Sequence, residues 1–314
     1  MRVGVVGLGD MGSGLAKNLI KAGFETSGYD LIAAKNDRLS AMGGNALKSS
    51  ADVGANSDAL YVMVMNGDEV KEVLFGPRGT NDGALARMGE GAAVVLTATI
   101  KPSEAIEIAA MMEGSGIHLI DSPVSGGYPG AQGGTLTMMP AAPAAVLDHF
   151  APVMEAVSGT IHRVGTEPGQ GQTVKACLQS LLGSIFSATF EMAALAAKAG
   201  VPGDVMHKVV STSSGGCGIT SGSLEKIIDR DFEGGGSGIR TMYKDLTISM
   251  DLAREMGVPL FTAAMAMQLF QAGKTKYPEA DNWVATRITE EIIGAELHRD
   301  GGRAISDGIT ETKP

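Results

Sequence analysis

The sequence predicts an α/β domain with a largely parallel sheet, followed by an all-α domain built around one long helix, and three observations lead there. Up to about residue 165, short β-rich runs alternate with helical patterns. Beyond that point the β-runs disappear and apolar residues recur at helical spacing. Between the two lies "GTEPG", from Gly165 to Gly169, a turn rich in residues that end regular structure, so the expected domains are residues 1–165 and 166–314. The length of 314 residues agrees, because single hydrophobic cores stop growing at about 250–300 residues.

Taken in order, the β-runs are "RVGVV", "ETSGY", "ALYVMVM", "AAVVLTA", "IHLIDSP", "GTLTMM" and "TIHRVG", separated by amphipathic segments of helical period. The second half opens with "GQTVKACLQSLLGSIFSATFEMAALAAKAG" and continues through "PGDVMHKVVS", "DLTISMDLAREMG" and "PLFTAAMAMQLFQAG". The first of these is apolar enough to suggest a membrane span. Glu191, Lys198 and several small polar residues within it argue instead for a buried helix. Glycine clusters at 213 to 222 and 234 to 238 read as loops, and the polar tail after Arg299 reads as frayed.

Composition narrows the function. A net charge of −10 repels phosphates over most of the surface and argues against nucleic acid or an anionic membrane as partner. Cys177 and Cys217 are the only cysteines, too few for a disulfide framework and in no metal-ligand spacing with the five histidines, so no metal is expected and a reducing cytoplasm fits. With the first β-run at residue 2, a secretory signal peptide is not expected.

The first β-run leads directly into G-x-G-x-x-G, formed by Gly7, Gly9 and Gly12, at the head of a helix. Gly7 permits the tight turn, Gly9 lets backbone approach a pyrophosphate, and Gly12 allows close packing of helix on strand. Asp10 and Met11 fill the positions between the last two glycines and belong to the same candidate cofactor site. Phosphate would rest on free N–H groups at the positive helix end. The same glycines also suit a strand-to-helix turn with no ligand. Asp30, 18 residues after Gly12 at the end of the second β-run, favours the dinucleotide: its carboxylate suits ribose hydroxyls and repels a 2′-phosphate, so NAD is expected over NADP.

Two further stretches carry chemistry. "DSPVSGGYPGAQGGTLTMM" places Ser125, Gly126 and Gly127 between two β-runs, where a hydroxyl and consecutive N–H groups suit a carboxylate, though paired glycines also make an ordinary tight loop. In "GQGQTVKACLQ", Lys175 is followed one turn later by Gln179 on the same helix face. A lysine there can simply snorkel to water; partial burial would make it a usable proton donor or acceptor.

Four segments in order over nearly the whole chain, "VGLGDMGSGLAKNLIKAG", "DSPVSGGYPGAQGGTLTMM", "GQGQTVKACLQ" and "YKDLTISMDLAREMGVPLF", resemble the signature regions of the β-hydroxyacid dehydrogenases, the 3-hydroxyisobutyrate dehydrogenase family. The resemblance implies a Rossmann domain, a helical substrate domain, a cleft between them, a small hydroxy-acid substrate, and a homodimer or homotetramer. It implies Lys175 as the catalytic lysine and Ser125, Gly126 and Gly127 as the carboxylate site. It also puts Thr99 of "TATIKP" near the nicotinamide, and Met65, Asn66 and Lys244 in contact with the dinucleotide. Gln179 stands where most of the family has asparagine, which implies a different substrate. "MNGDEVKEVLFG", "GQTVKACLQSLLG" and "MAALAAKAGVPGDVM" look most like the L-threonate dehydrogenase branch, which acts on four-carbon sugar acids with NAD.

The mechanism expected from this likeness has Lys175 accept the hydroxyl proton as hydride leaves for the nicotinamide. Gln179 is expected both to donate to and to accept from a polyol substrate, with Ser213, Ser214 and Thr220 as possible further contacts. Rival readings are a 3-hydroxyisobutyrate dehydrogenase, a reductase of the tartronate semialdehyde or glyoxylate type, and a non-catalytic dinucleotide-binding protein. The presence of Lys175 counts against the last.

Overall fold

The structure is a computed structural model and describes residues 1–305. The chain divides into two compact units, residues 1–175 and residues from 176 onward.

In the first unit, strands β1 (Arg2–Val6), β2 (Glu25–Tyr29), β3 (Asn45–Ala46), β4 (Ala59–Val62), β5 (Ala93–Leu96) and β6 (His118–Asp121) form a six-stranded parallel sheet in the order β3-β2-β1-β4-β5-β6. The crossovers are helices α1 (Asp10–Lys21), α2 (Ala33–Ala41), α3 (Ser50–Ala55), α4 (Gly67–Phe75) and α5 (Pro102–Met111). Strand side chains alternate between faces, and both faces are apolar here. Val3, Val5, Tyr61 and Val95 enter one cluster, while Val6, Leu60, Val62 and Val94 enter another. Tyr61 is fully buried; its hydroxyl donates to the Val153 carbonyl at 2.8 Å, and burial pushes its pKa up.

The last two β-runs do not extend that sheet. After β7 (Val124–Ser125) come α6 (Gly127–Gly133), β8 (Leu136–Met138), α7 (Ala144–Glu155) and β9 (Ser158–Ile161). The three strands make a separate sheet in the order β7-β8-β9, with β7 antiparallel and β9 parallel to β8.

The long apolar segment is helix α8 (Gln170–Lys198), which starts in the first unit and continues into the second. By length and composition it is apolar enough to cross a membrane. Phe186, Phe190 and Ala193 are nevertheless buried in the second unit's core, where Phe186, Phe190 and Phe270 rings lie 5.9 to 6.2 Å apart. Around it lie α9 (Gly203–Thr212), α10 (Gly218–Ile228), α11 (Ile239–Met256), α12 (Phe261–Lys276) and α13 (Thr286–Ile293). A Cβ at Gly183 would stand 2.6 Å from Leu246 Cδ2, so the glycine lets α8 and α11 approach closely.

Two expectations need correction. The second unit ends in an antiparallel hairpin, β10 (Ala295–His298) with β11 (Gly301–Ala304), so β-structure does not disappear after residue 165 and the chain just after Arg299 is paired. The rest of the expected frayed tail, residues 306–314, lies outside the described residues. Residues 218 to 222 belong to α10 rather than to a loop, because burial of Leu224, Ile227 and Ile228 outweighs the helix cost of Gly218 and Gly222.

Candidate active site

The glycine-rich turn joins β1 to α1. Gly7 has φ +89°, a conformation that favours glycine, and its N–H donates to the Tyr29 carbonyl at 3.0 Å. A Cβ at residue 12 would sit 1.8 Å from the Gly7 carbonyl oxygen, so only glycine lets α1 leave the strand this closely. Gly9 begins the helix without a side-chain cap. The first-turn N–H groups, those of Asp10 and Met11 among them, have no acceptor within the helix. A Cβ at Gly9 would meet nothing nearer than Lys35 Nζ, 4.0 Å away. Open space in front of uncommitted N–H groups fits a dinucleotide pyrophosphate.

Asp30 follows β2 and supports the turn from below. Its Oδ2 accepts from the Leu8 N–H at 2.8 Å and pairs with Lys35 Nζ at 3.2 Å, while Oδ1 accepts from the Ile32 N–H at 2.9 Å. These bonds occupy three of the roughly four acceptor sites of a carboxylate, which leaves capacity for a ribose hydroxyl. Asp30 thus shapes the turn through its bonds to Leu8 and Ile32. Lys35, unnoticed in the sequence, puts a cation beside it. Past β4, Asn66 Oδ1 accepts from the Glu69 N–H at 2.9 Å and its Nδ2 donates to Glu69 Oε1 at 2.8 Å, while the Met65 N–H donates to Glu69 Oε2 at 3.0 Å. This reciprocal cap fixes the start of α4 and leaves the Met65 side chain exposed.

Ser125 ends β7 opposite Thr137, and Gly126 and Gly127 follow with φ of +125° and +58°. Non-glycine residues rarely adopt either value. Helix α6, which these glycines start, is fastened to α1. Asn18 Nδ2 donates to the Gly14 and Ala131 carbonyls, both at 2.8 Å, and a Cβ at Gly14 would come within 2.6 Å of the Ala131 backbone. Gly14 and Asn18 were not singled out from the sequence. A glycine and an asparagine one turn apart inside a good helix were the available signal.

The largest omission is Asp121. Fully buried at the end of β6, its carboxylate accepts from the N–H of Gly169 at 2.8 Å and of Gln172 at 3.3 Å, and from Gln172 Nε2 at 3.0 Å. Desolvation pushes its pKa up to about 6 despite these bonds. Gln172 Nε2 also donates to the Ala98 carbonyl at 3.0 Å, and its Oε1 accepts from the Ile100 N–H at 3.1 Å. Thr99 lies between those two residues. Lys175 follows in the second turn of α8 and is buried, 6 % exposed.

In the second unit, Gln179 Nε2 donates to Asp245 Oδ2 at 2.5 Å, and Lys244 Nζ pairs with Asp245 Oδ1 at 2.9 Å. Gln179 Nε2 also lies 3.8 Å from Met242 Sδ. Both N–H groups of the amide therefore face protein acceptors, one a carboxylate and one a weak thioether, whereas the expectation had the amide both donate to and accept from substrate. Its carbonyl oxygen Oε1 is buried and, among the described residues, has no hydrogen-bond partner. Ser213 Oγ donates to the Val210 carbonyl and Thr220 Oγ1 lies 3.1 Å from Cys217 Sγ, so both hydroxyls are engaged locally. Among the described residues no group of three or more His, Cys, Asp or Glu side chains could hold a metal ion.

A parallel sheet with an uncapped glycine-rich helix start, and a buried lysine on the helix mounted at the sheet's far end, define a nicotinamide-dependent oxidoreductase. Residues 2–165 match the NAD-binding domain of 6-phosphogluconate dehydrogenase, and residues 169–288 match the family described as NAD-binding of NADP-dependent 3-hydroxyisobutyrate dehydrogenase. L-threonate dehydrogenase of Escherichia coli is 36 % identical over 292 residues, 92 % of this chain and 95 % of that protein. The 2-(hydroxymethyl)glutarate dehydrogenase of Eubacterium barkeri is 32 % identical over 95 % of this chain and 97 % of its own. The crystal structure of 3-hydroxyisobutyrate dehydrogenase from Salmonella typhimurium superposes with a TM-score of 0.84 at 34 % identity, covering 92 % of this chain and 99 % of that one. The chain belongs to the 3-hydroxyisobutyrate dehydrogenase family, in the branch that contains the L-threonate dehydrogenases, and is an NAD-dependent hydroxyacid dehydrogenase.

Proposed function

We propose that this enzyme oxidises the alcohol of a small, hydroxyl-rich monocarboxylate of about four carbons, L-threonate or a close stereoisomer. The observation that carries this reading is Gln179 Oε1, a buried acceptor with no donor among the described residues, one turn beyond Lys175. A substrate hydroxyl would satisfy it. A methyl group in the same place would leave it unpaired, at about 1–3 kcal/mol. Similarity to the L-threonate dehydrogenase of Escherichia coli supports the same choice.

In this reading Ser125, Gly126 and Gly127 hold the substrate carboxylate, and Gln179 orients a hydroxyl further along the molecule. Lys175 Nζ takes the proton from the reacting hydroxyl, and in the reverse direction returns it to the developing alkoxide. Bound NAD supplies the hydride acceptor. Gly7, Gly9, Asp10, Met11, Gly12 and Asp30 bind the pyrophosphate and adenosine ribose, with Met65, Asn66, Thr99 and Lys244 as further cofactor contacts. Residues 1–165 are assigned to the dinucleotide and 166–314 to substrate and self-association. Exposed Leu195, Phe261 and Met265 on the second unit support a homodimer or homotetramer, and the two free cysteines support a cytoplasmic location.

The deciding measurement is kcat/KM with NAD for four-carbon sugar acids against 3-hydroxyisobutyrate. The sugar acids should win by at least about tenfold, the equivalent of roughly 1.4 kcal/mol from one unpaired buried group. A preference for 3-hydroxyisobutyrate overturns the polyol pocket.

A further inference from the structure

We propose that Asp121 and Gln172 are positioning residues for the reaction: one buried hydrogen-bond network fixes, in a single register, the helix turn that carries Lys175 and the strand exit that carries Thr99. This rests on the reading of Lys175 as the proton-transfer group. Both side chains of the network are fully buried. Asp121 grips the start of α8 through the N–H groups of Gly169 and Gln172. Gln172 then spans three elements, with Nε2 bonded to Asp121 Oδ1 and to the Ala98 carbonyl, and Oε1 bonded to the Ile100 N–H. Its amide cannot turn without breaking all three.

The placement is what points to catalysis. Ala98 and Ile100 flank Thr99 on both sides, and Lys175 stands three residues after Gln172, on the same side of the helix. A core built only for stability would fill this volume with apolar side chains, since replacing buried ionic groups by well-packed hydrophobes is often neutral or stabilising. A carboxylate and an amide instead specify direction as well as distance. Misplacement by about 1 Å at a reacting group can cost about a hundredfold in rate.

Two near-isosteric variants test the network, Gln172→Met and Asp121→Asn, alongside Lys175→Met. For each, kcat, substrate KM, NADH affinity by fluorescence, and the kinetic isotope effect with substrate deuterated at the carbinol carbon are measured. Gln172→Met should lose at least about tenfold in kcat, with NADH affinity within about twofold of wild type and an isotope effect at least as large. Asp121→Asn should show the same pattern with a smaller loss. Unchanged kcat in a folded variant overturns the proposal, however far its melting temperature falls. So does a parallel loss of NADH affinity, or failure of both variants to fold, either of which makes the network merely structural. Near-normal turnover in Lys175→Met would instead remove the proton-transfer reading. Loss of turnover there beside an unaffected Gln172→Met removes the positioning role alone.

Discussion

Helices α1 and α8 both start beside strand ends of the main sheet, and the protein treats their positive ends in opposite ways. At α1 the cap is Gly9, with no side chain and open space in front of the first N–H groups. At α8 the same kind of end is filled by the protein's own carboxylate, Asp121. An open end receives an anion from outside. A filled end cannot, and gains a fixed orientation for whatever the helix carries. On the two proposals above, one piece of backbone physics would make a ligand site in one place and a rigid mount in the other.

The largest effect expected is at the mount's cargo. Lys175→Met should lower kcat by at least about a hundredfold while NAD affinity changes little, since proton transfer of this kind contributes about 10²–10⁴; steady-state kinetics with cofactor titration checks it. Next comes the charge that fills the end. Asp121 has a folded-state pKa of about 6 against an ordinary 3.8, so its contribution to stability is complete below the ordinary value and is lost as pH rises through about 6. The total is on the order of 3 kcal/mol. In melts between pH 4 and 7, the stability of wild type relative to Asp121→Asn should fall as pH rises, and a flat difference would contradict the buried ionised carboxylate.

A third variant turns one kind of end into the other. Gly9→Asp would place a capping carboxylate on α1, where a Cβ meets no clash. It should keep or slightly raise stability, by a few tenths of a kcal/mol, and weaken NAD by roughly thirtyfold, or about 2 kcal/mol. Calorimetric titration that finds NAD affinity intact would show that phosphate does not use this helix. The smallest effects concern the adenosine end. NAD should be preferred over NADP by at least about tenfold because Asp30 opposes a 2′-phosphate, and Lys35→Ala should widen that preference by roughly threefold by removing the neighbouring cation. Ratios of kcat/KM for the two cofactors decide both.

The open end was legible in the sequence because its constraints are local. Gly7, Gly9 and Gly12 answer to backbone requirements within one turn, and Asp30 follows from the length of one strand–helix–strand unit. The filled end was not. Asp121 meets Gln172 across 51 residues, and Gln179 meets Asp245 across 66, separations at which no periodicity or propensity reports a partner. Gln179 itself was visible as an amide near the lysine, but which of its atoms remained available depended on Asp245. Short strands escaped for another reason. β3 and β7 are two residues each, and "AELH" with "GGRA" lacks the β-branched alternation that announces a strand.

The bond from Asn18 to Ala131 carries a consequence for how substrates can change. It rivets α6, which begins at the proposed carboxylate seat, to α1, which begins at the proposed phosphate seat. If those two seats are as proposed, the bond locks them together and the enzyme would work as a ruler with its zero mark set. On that proposal a new substrate would be accommodated by exchanging side chains such as Gln179 rather than by moving the origin. Substitutions at Asn18 or Gly14 would shift the zero itself, so they should alter the rate for every substrate rather than the choice among them.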